Sequence, residues 1–243
     1  MNFFKMFILF ILSTKVLSCY AQQKSSNSKI RDKKPIIQSR FNAYITDVKN
    51  DSNYAMLELK SIIPDLVYDL RYATTNNFTG KRIYPADLNT TFLRRTPALA
   101  LRTINQELAK EGLKLKIFDA YRPYSATCRF WKLIKDERYV ANPSKGSGHN
   151  RGIAIDLTLI DALTEEEIDM GTGFDHFSDT AHHSFSNLPK ENLRNREKLK
   201  TIMEKNGFKA LETEWWHYFW PNDKNYMIMD IPFRKLTALS SLE

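Results

Sequence analysis

The sequence predicts an α+β domain, and three observations lead there. Segments with helical spacing and segments with period-two alternation are interspersed, without the regular β-α-β rhythm of a doubly wound sheet. The 243 residues are 42% hydrophobic with 9 Pro and 8 Gly, an ordinary composition for one globular domain with attachments. The 15 Phe, 11 Tyr and 4 Trp point to a core rich in aromatics. A domain of about 200 residues buries well over half of the surface its unfolded chain exposes, so it needs no covalent staples. Only Cys19 and Cys128 are present, which excludes a disulfide scaffold and a multi-cysteine zinc site.

From the N-terminus, residues 1–21 read as an export leader. Lys5 supplies a positive start, Met6 to Leu12 is an apolar run too short to span a bilayer, and Cys19-Tyr20-Ala21 offers small residues for cleavage after Ala21. An alternative ends the leader at residue 18, with Val16-Leu17-Ser18-Cys19 as a lipoprotein box and Cys19 as a lipid anchor. The expected product is exported, either to the periplasm or as a membrane-anchored lipoprotein. Residues 22–43 read as a basic polar linker and 44–243 as the folded domain.

The formal charge of +8 misleads. Lys5 and Lys15 belong to the leader, and Lys24, Lys29, Arg31, Lys33, Lys34 and Arg40 face only Asp32 in the tract that follows. Residues 41–243 then hold 28 basic and 27 acidic groups, so the folded part is close to neutral and no nucleic-acid groove is implied.

Within the domain, the alternation of Leu66 to Tyr72 predicts a half-buried strand, and residues 76–80, ending in Gly80, predict a turn. Residues 97–111 predict a helix: Pro97 suits its first turn, Leu101, Ile104 and Leu108 share a face, and Gly112 stops it. Leu113 to Phe118 reads as a strand that ends in Asp119-Ala120-Tyr121-Arg122-Pro123. A helix over 125–138, a strand over 153–160, a basic helix over 190–206 closed by Gly207, and a strand over 215–220 complete the pattern.

The chemistry is concentrated in two segments. In Ser147-Gly148-His149-Asn150-Arg151-Gly152-Ile153-Ala154-Ile155-Asp156, alternation puts Ile153, Ile155, Leu157 and Leu159 on one strand face and Asp156 on the other. A carboxylate on so apolar a strand is costly to bury unless it is paired or bound to metal. His149 precedes the strand in a loop loosened by Gly148 and Gly152, free to converge on Asp156. A plain histidine–carboxylate hydrogen bond would also fit that spacing. The second segment is Glu214-Trp215-Trp216-His217-Tyr218-Phe219-Trp220, whose aromatics on both faces imply burial on both sides. His217 within it could equally be a core histidine bonded to a carbonyl.

Together the segments supply parts that suit a catalytic zinc, which takes three His or carboxylate ligands and keeps a fourth position open. His149, Asp156 and His217 are the candidate ligands, and Glu214 is left as a general base. Arg122, just past a strand end, could stabilise an oxyanion or simply pair with Asp119.

These residues are similar to those of the zinc D-alanyl-D-alanine dipeptidases (the VanX type), within the wider zinc DD-peptidase group. The resemblance runs from about Tyr68 to Phe233. It is carried by Arg71-Tyr72-Ala73-Thr74 with Asn77-Phe78-Thr79-Gly80-Lys81, by Asp119-Ala120-Tyr121-Arg122-Pro123, and by the His149-to-Asp156 segment. Met170-Gly171 with Phe174-Asp175, His182-His183 and Glu214-Trp215-Trp216-His217-Tyr218 complete it.

The resemblance implies a small single-domain fold like that of hedgehog domains and DD-peptidases, with a mainly antiparallel sheet and flanking helices. It implies one zinc per chain on His149, Asp156 and His217, Glu214 as base and Arg122 as transition-state stabiliser. A small D-dipeptide would be the substrate, with Asp175 receiving its ammonium, Tyr72 and Asp119 nearby, and Ser147 meeting its carboxylate. Gly148 departs from the serine often found there. The exported leader suggests turnover of wall-derived peptides. Two other readings remain: an exported DD- or LD-carboxypeptidase acting on longer peptidoglycan peptides, and a non-catalytic hedgehog-like zinc module that binds the wall. Retention of Glu214 disfavours the latter.

Overall fold

The computed structural model describes residues 35–240. In chain order the elements are β1 (Ile37–Gln38), α1 (Phe41–Asn50), β2 (Met56–Glu58), α2 (Leu59–Ile62), β3 (Val67–Tyr68), β4 (Phe92–Arg94) and α3 (Arg95–Ala109). There follow β5 (Leu113–Asp119), α4 (Tyr124–Leu133), α5 (Gly148–Arg151), β6 (Ala154–Asp161), α6 (Lys190–Lys205), β7 (Lys209–Leu211), β8 (Glu214–Phe219), β9 (Ile228–Met229) and α7 (Phe233–Ser240). The α+β expectation holds. The central sheet has the order β3-β5-β6-β8-β7, with β3 parallel to β5 and every other neighbour antiparallel.

Alternation and helical spacing explain the main packing. Leu101, Ile104 and Leu108 of α3 and Leu199 and Met203 of α6 are all fully buried. They share one cluster with Leu115 and Ile117 of β5 and Ile155, Leu157 and Leu159 of β6. Both helices stop where the chain turns left-handed at glycine, φ 72° at Gly112 and 97° at Gly207. A second cluster is built on Tyr72, Tyr84, Phe92, Tyr121, Phe130 and Phe233. Tyr121 staples it: its hydroxyl donates to the Ile231 carbonyl at 2.8 Å and accepts from the Ile231 N–H at 3.0 Å.

Several expectations change. The domain begins earlier than residue 44, because β1 pairs with β9 and α1 starts at Phe41 with Tyr44 only 1% exposed. The polar composition up to Arg40 hid an amphipathic helix that follows it. The strand expected over 66–72 is confined to Val67–Tyr68, since the chain turns into a 3-10 helix at Arg71–Ala73. The helix expected to reach 138 ends at Leu133, where Ile134 is extended. The leader, the Cys19 anchor and residues 22–34 of the expected linker lie outside the described residues.

Candidate metal centre

The loop expected around His149 is the single-turn helix α5, and its sequence explains why. Ser147 caps it: the Asn150 N–H donates to Ser147 Oγ at 3.3 Å while the Ser147 N–H donates to Asn150 Oδ1 at 3.0 Å, a reciprocal capping box. Gly152 closes the turn at φ 70°. Asn150 also donates to the Arg122 carbonyl at 2.9 Å and Thr127 Oγ1 at 2.8 Å, so α5 is tied to the Arg122 segment. A side chain at Gly148 would begin 2.8 Å from Ala154 Cβ, so α5 sits against β6 at a distance fitted to glycine.

His149 is 3% exposed. Its Nδ1 lies 2.7 Å from the Ala120 carbonyl. A carbonyl only accepts, so Nδ1 carries the proton and Nε2 presents its lone pair. On the sheet, Asp156 of β6 and His217 of β8 are register partners, with Asp156 Oδ1 2.8 Å from His217 Nδ1. His149 Nε2 is 3.4 Å from Asp156 Oδ2 and 3.3 Å from His217 Nδ1. The three ligand atoms all lie within 4.8 Å of one another. A tetrahedral zinc with bonds of about 2.0–2.2 Å needs ligand edges of about 3.3–3.6 Å. The donor set therefore fits such an ion by chemistry, and the two edges that reach His149 Nε2, 3.3 and 3.4 Å, match that spacing, while Asp156 Oδ1 and His217 Nδ1 stand closer, at hydrogen-bond distance. Burial pushes the Asp156 carboxyl up, but His149 and His217 outweigh it and hold its pKa low. Burial likewise opposes charge on His217, and the Asp156 hydrogen bond overrides it to raise the imidazole.

Glu214, at the start of β8, stands just outside this set with Oε2 3.9 Å from His217 Nδ1. Burial raises its pKa, which suits a proton acceptor more than a permanently charged ligand.

Arg122 is fixed from behind. Asp119 Oδ2 accepts from its Nε at 3.0 Å and from an Nη at 2.7 Å, while Asp119 Oδ1 accepts from the Tyr84 hydroxyl at 2.8 Å. Asp119 is 1% exposed and fully engaged, so its influence on the cleft passes through Arg122. The expected Arg122–Asp119 pair and an Arg122 facing the ligands are thus both realised: the guanidinium reaches to 4.0 Å from Asp156 Oδ2. Its planar face rests on the Phe130 and Tyr72 rings at 5.0 and 5.3 Å.

These groups line a cleft of about 680 Å³ together with Tyr72, Ser147, Asp175, Phe177 and Trp216. Tyr72 donates to Asp175 at 3.1 Å. Asp175 is raised well above the usual carboxylate range, first by burial and then by the charge of Asp156. Ser147 uses its oxygen as the cap acceptor, which leaves the hydroxyl proton for a partner in the cleft. All the site residues named from sequence are therefore gathered in one place except Asp119, which stands behind Arg122. The structure adds Tyr84, the Ala120 carbonyl and Asn150. Tyr84 and the Ala120 carbonyl had no local signal, because each acts through a contact distant in sequence, whereas the Ser147-to-Asn150 spacing of a capping box was a signal for Asn150.

A family model described as D-ala-D-ala dipeptidase matches residues 52–235. A D-alanyl-D-alanine dipeptidase of Escherichia coli is 38% identical over 174 residues, covering 72% of this chain and 89% of the relative. One of Enterococcus faecalis is 34% identical over 180 residues, covering 67% of this chain and 89% of the relative. Among solved structures, an LD-carboxypeptidase is similar over 62% of this chain and 64% of its own, at 19% identity and a TM-score of 0.36.

Proposed function

From the premise that this chain belongs to the D-ala-D-ala dipeptidase family and is a metallopeptidase of that kind, we propose that it hydrolyses D-alanyl-D-alanine to free D-alanine at one zinc ion held by His149, Asp156 and His217. The observation that carries this is the convergence of two imidazole nitrogens and a carboxylate, with Glu214 beside them and outside the set.

Charge supports the same reading. Around the candidate ligands, four carboxylates, Asp119, Asp156, Asp175 and Glu214, share one guanidinium, Arg122, because the exposed Arg138 that also lines the cleft is paired with Asp136. With all four ionised the balance is three negative charges, which a divalent cation and one ammonium group together cancel. Asp119 and Asp156 are buried and Asp175 and Glu214 half-buried, so such partners favour the ionised forms.

A zinc ion in this site supplies Lewis acidity and brings the pKa of a water down toward about 7. The protein's own residues do the rest. Glu214 accepts the proton of the attacking water as its oxygen bonds to the scissile carbonyl carbon. It returns that proton to the departing amine as the C–N bond breaks. Arg122 donates to the oxygen on which negative charge develops, and its anchoring by Asp119 leaves nothing to reorganise at that moment. Asp175, with Tyr72 behind it, accepts from the substrate ammonium, and the Ser147 hydroxyl donates to the terminal carboxylate.

The leader read at residues 1–21 supports an exported enzyme that acts on dipeptides released from the wall. Purified protein assayed with and without a chelator, against D-Ala-D-Ala, L-Ala-L-Ala and an N-blocked wall peptide, tests the proposal. Chelator-sensitive cleavage of the free D-dipeptide is the expected result, with the N-blocked peptide cleaved only at a slow residual rate and L-Ala-L-Ala not at all. Faster cleavage of the blocked peptide would favour the carboxypeptidase reading, and no cleavage of any would favour the non-catalytic one.

A further inference from the structure

Asp175 sits in a segment with little regular structure of its own: between Met170 and His182 the only element is a 3-10 turn at Asp179–Ala181. Asp175 has a positive φ of 60°, which the surrounding structure must hold in place. The segment also brings Phe174 against Phe118 and Trp216, with ring centroids 4.6 and 5.6 Å apart.

One side chain from α6 grips this segment at both ends. Arg196 is 4% exposed. Its Nε donates to the Met170 carbonyl at 2.6 Å, and one Nη donates to the Thr180 carbonyl at 2.9 Å and the His182 carbonyl at 3.2 Å. The other Nη reaches Thr172 Oγ1 at 3.4 Å. Met170 and Thr172 precede Asp175; Thr180 and His182 follow it. The guanidinium thus closes the loop across its two stems. Thr172 Oγ1 also accepts from Trp215 Nε1 at 2.8 Å, which links the same knot to β8 beside Glu214. Asn192 and Asn195, on the same helix, both donate to the Asp169 carbonyl at 2.9 Å and hold the entry to the segment.

We infer that Arg196 is a positioning residue for substrate recognition: by joining both stems of the 170–182 segment and tying them to β8, it sets where Asp175 meets the substrate ammonium relative to Glu214. This rests on the proposed role of Asp175. The chemistry requires arginine. Its five donors lie in a rigid plane and can serve carbonyls on opposite sides, whereas a lysine ammonium is a single point at the end of a flexible stem. Losing the clamp should weaken a contact made equally in the ground and transition states, which raises KM and spares kcat.

The test uses the zinc-loaded enzyme carrying Arg196→Lys, with Asp175→Asn alongside. Expected for Arg196→Lys are unchanged zinc content, a KM for D-Ala-D-Ala raised about tenfold or more, and kcat within about twofold. Amide hydrogen exchange should quicken over 170–182, and residual cleavage of N-acetyl-D-Ala-D-Ala, which has no ammonium, should stay at the parent level. Arg196→Gln, which keeps a planar amide donor, should lie between lysine and the parent in exchange rate. If Asp175→Asn raises KM while Arg196→Lys alters neither KM nor exchange, the clamp is overturned. If Arg196→Lys lowers kcat on both substrates alike or loses zinc, the residue is merely structural and the inference is likewise overturned. If Asp175→Asn leaves KM unchanged while Arg196→Lys speeds exchange, the clamp exists but the role given to Asp175 fails, and with it the link to recognition.

Discussion

Asp156 and His217 are cross-strand partners between β6 and β8, and Oδ1 of one stands 2.8 Å from Nδ1 of the other. Two of three candidate ligands are thereby fixed by sheet register, and the third arrives on a capped turn whose remaining ring nitrogen is anchored to Ala120. Sites built on sheet and helix hold their geometry more tightly than sites on free loops.

His217→Ala should lose zinc and activity together. Elemental analysis of dialysed protein should find about one zinc per parent chain and far less in the variant. His149→Ala should behave alike. Full metal content with full activity in either variant would remove that residue from the ligand set.

Glu214→Gln keeps the size and removes the base. Zinc content and dipeptide binding should match the parent, with kcat lower by ~10²–10⁴-fold. Loss of metal from this variant would mean that Glu214 is a ligand.

Arg122→Lys keeps the charge and loses the two-point grip on Asp119. A drop in kcat of ~10²–10³-fold with zinc retained is expected, the scale of losing one oxyanion donor. Tyr84→Phe acts one step further back. It leaves Asp119 Oδ1 without its donor, so thermal unfolding should show a loss of about 1–3 kcal/mol. A smaller fall in kcat should accompany it. A Tyr84→Phe variant as active and as stable as the parent would show that Arg122 needs no such support.

The pH dependence of KM should report Asp175. Burial raises its pKa well above the usual carboxylate range, and only the carboxylate attracts an ammonium. Affinity for the free dipeptide is therefore present above that raised pKa and lost as pH falls through it. The limb should disappear in Asp175→Asn and for an N-acetylated substrate. An acid limb identical in all three would place the titration elsewhere.

The proposed export leader is tested on the protein isolated from its native host. Mass spectrometry should find Gln22 or a lipid-modified Cys19 at the N-terminus. An intact Met1 on a cytosolic product would contradict export.

Much of this was legible in the linear sequence. Alternation placed Asp156 opposite Ile155 and Leu157, and helical spacing placed Leu101, Ile104 and Leu108 together, because side-chain direction follows from backbone period alone. Residue chemistry was enough to nominate His149, Asp156, His217 and Glu214. Only the tertiary structure decided which nitrogen of His149 faces the site, that Asp119 serves Arg122, and that Arg196 closes the loop around Asp175. Those outcomes depend on bonds such as Tyr84 to Asp119 and Tyr72 to Asp175, between groups 35 and 103 residues apart. A hydrogen bond is set by distance and direction in space, and no local period encodes a partner that far along the chain.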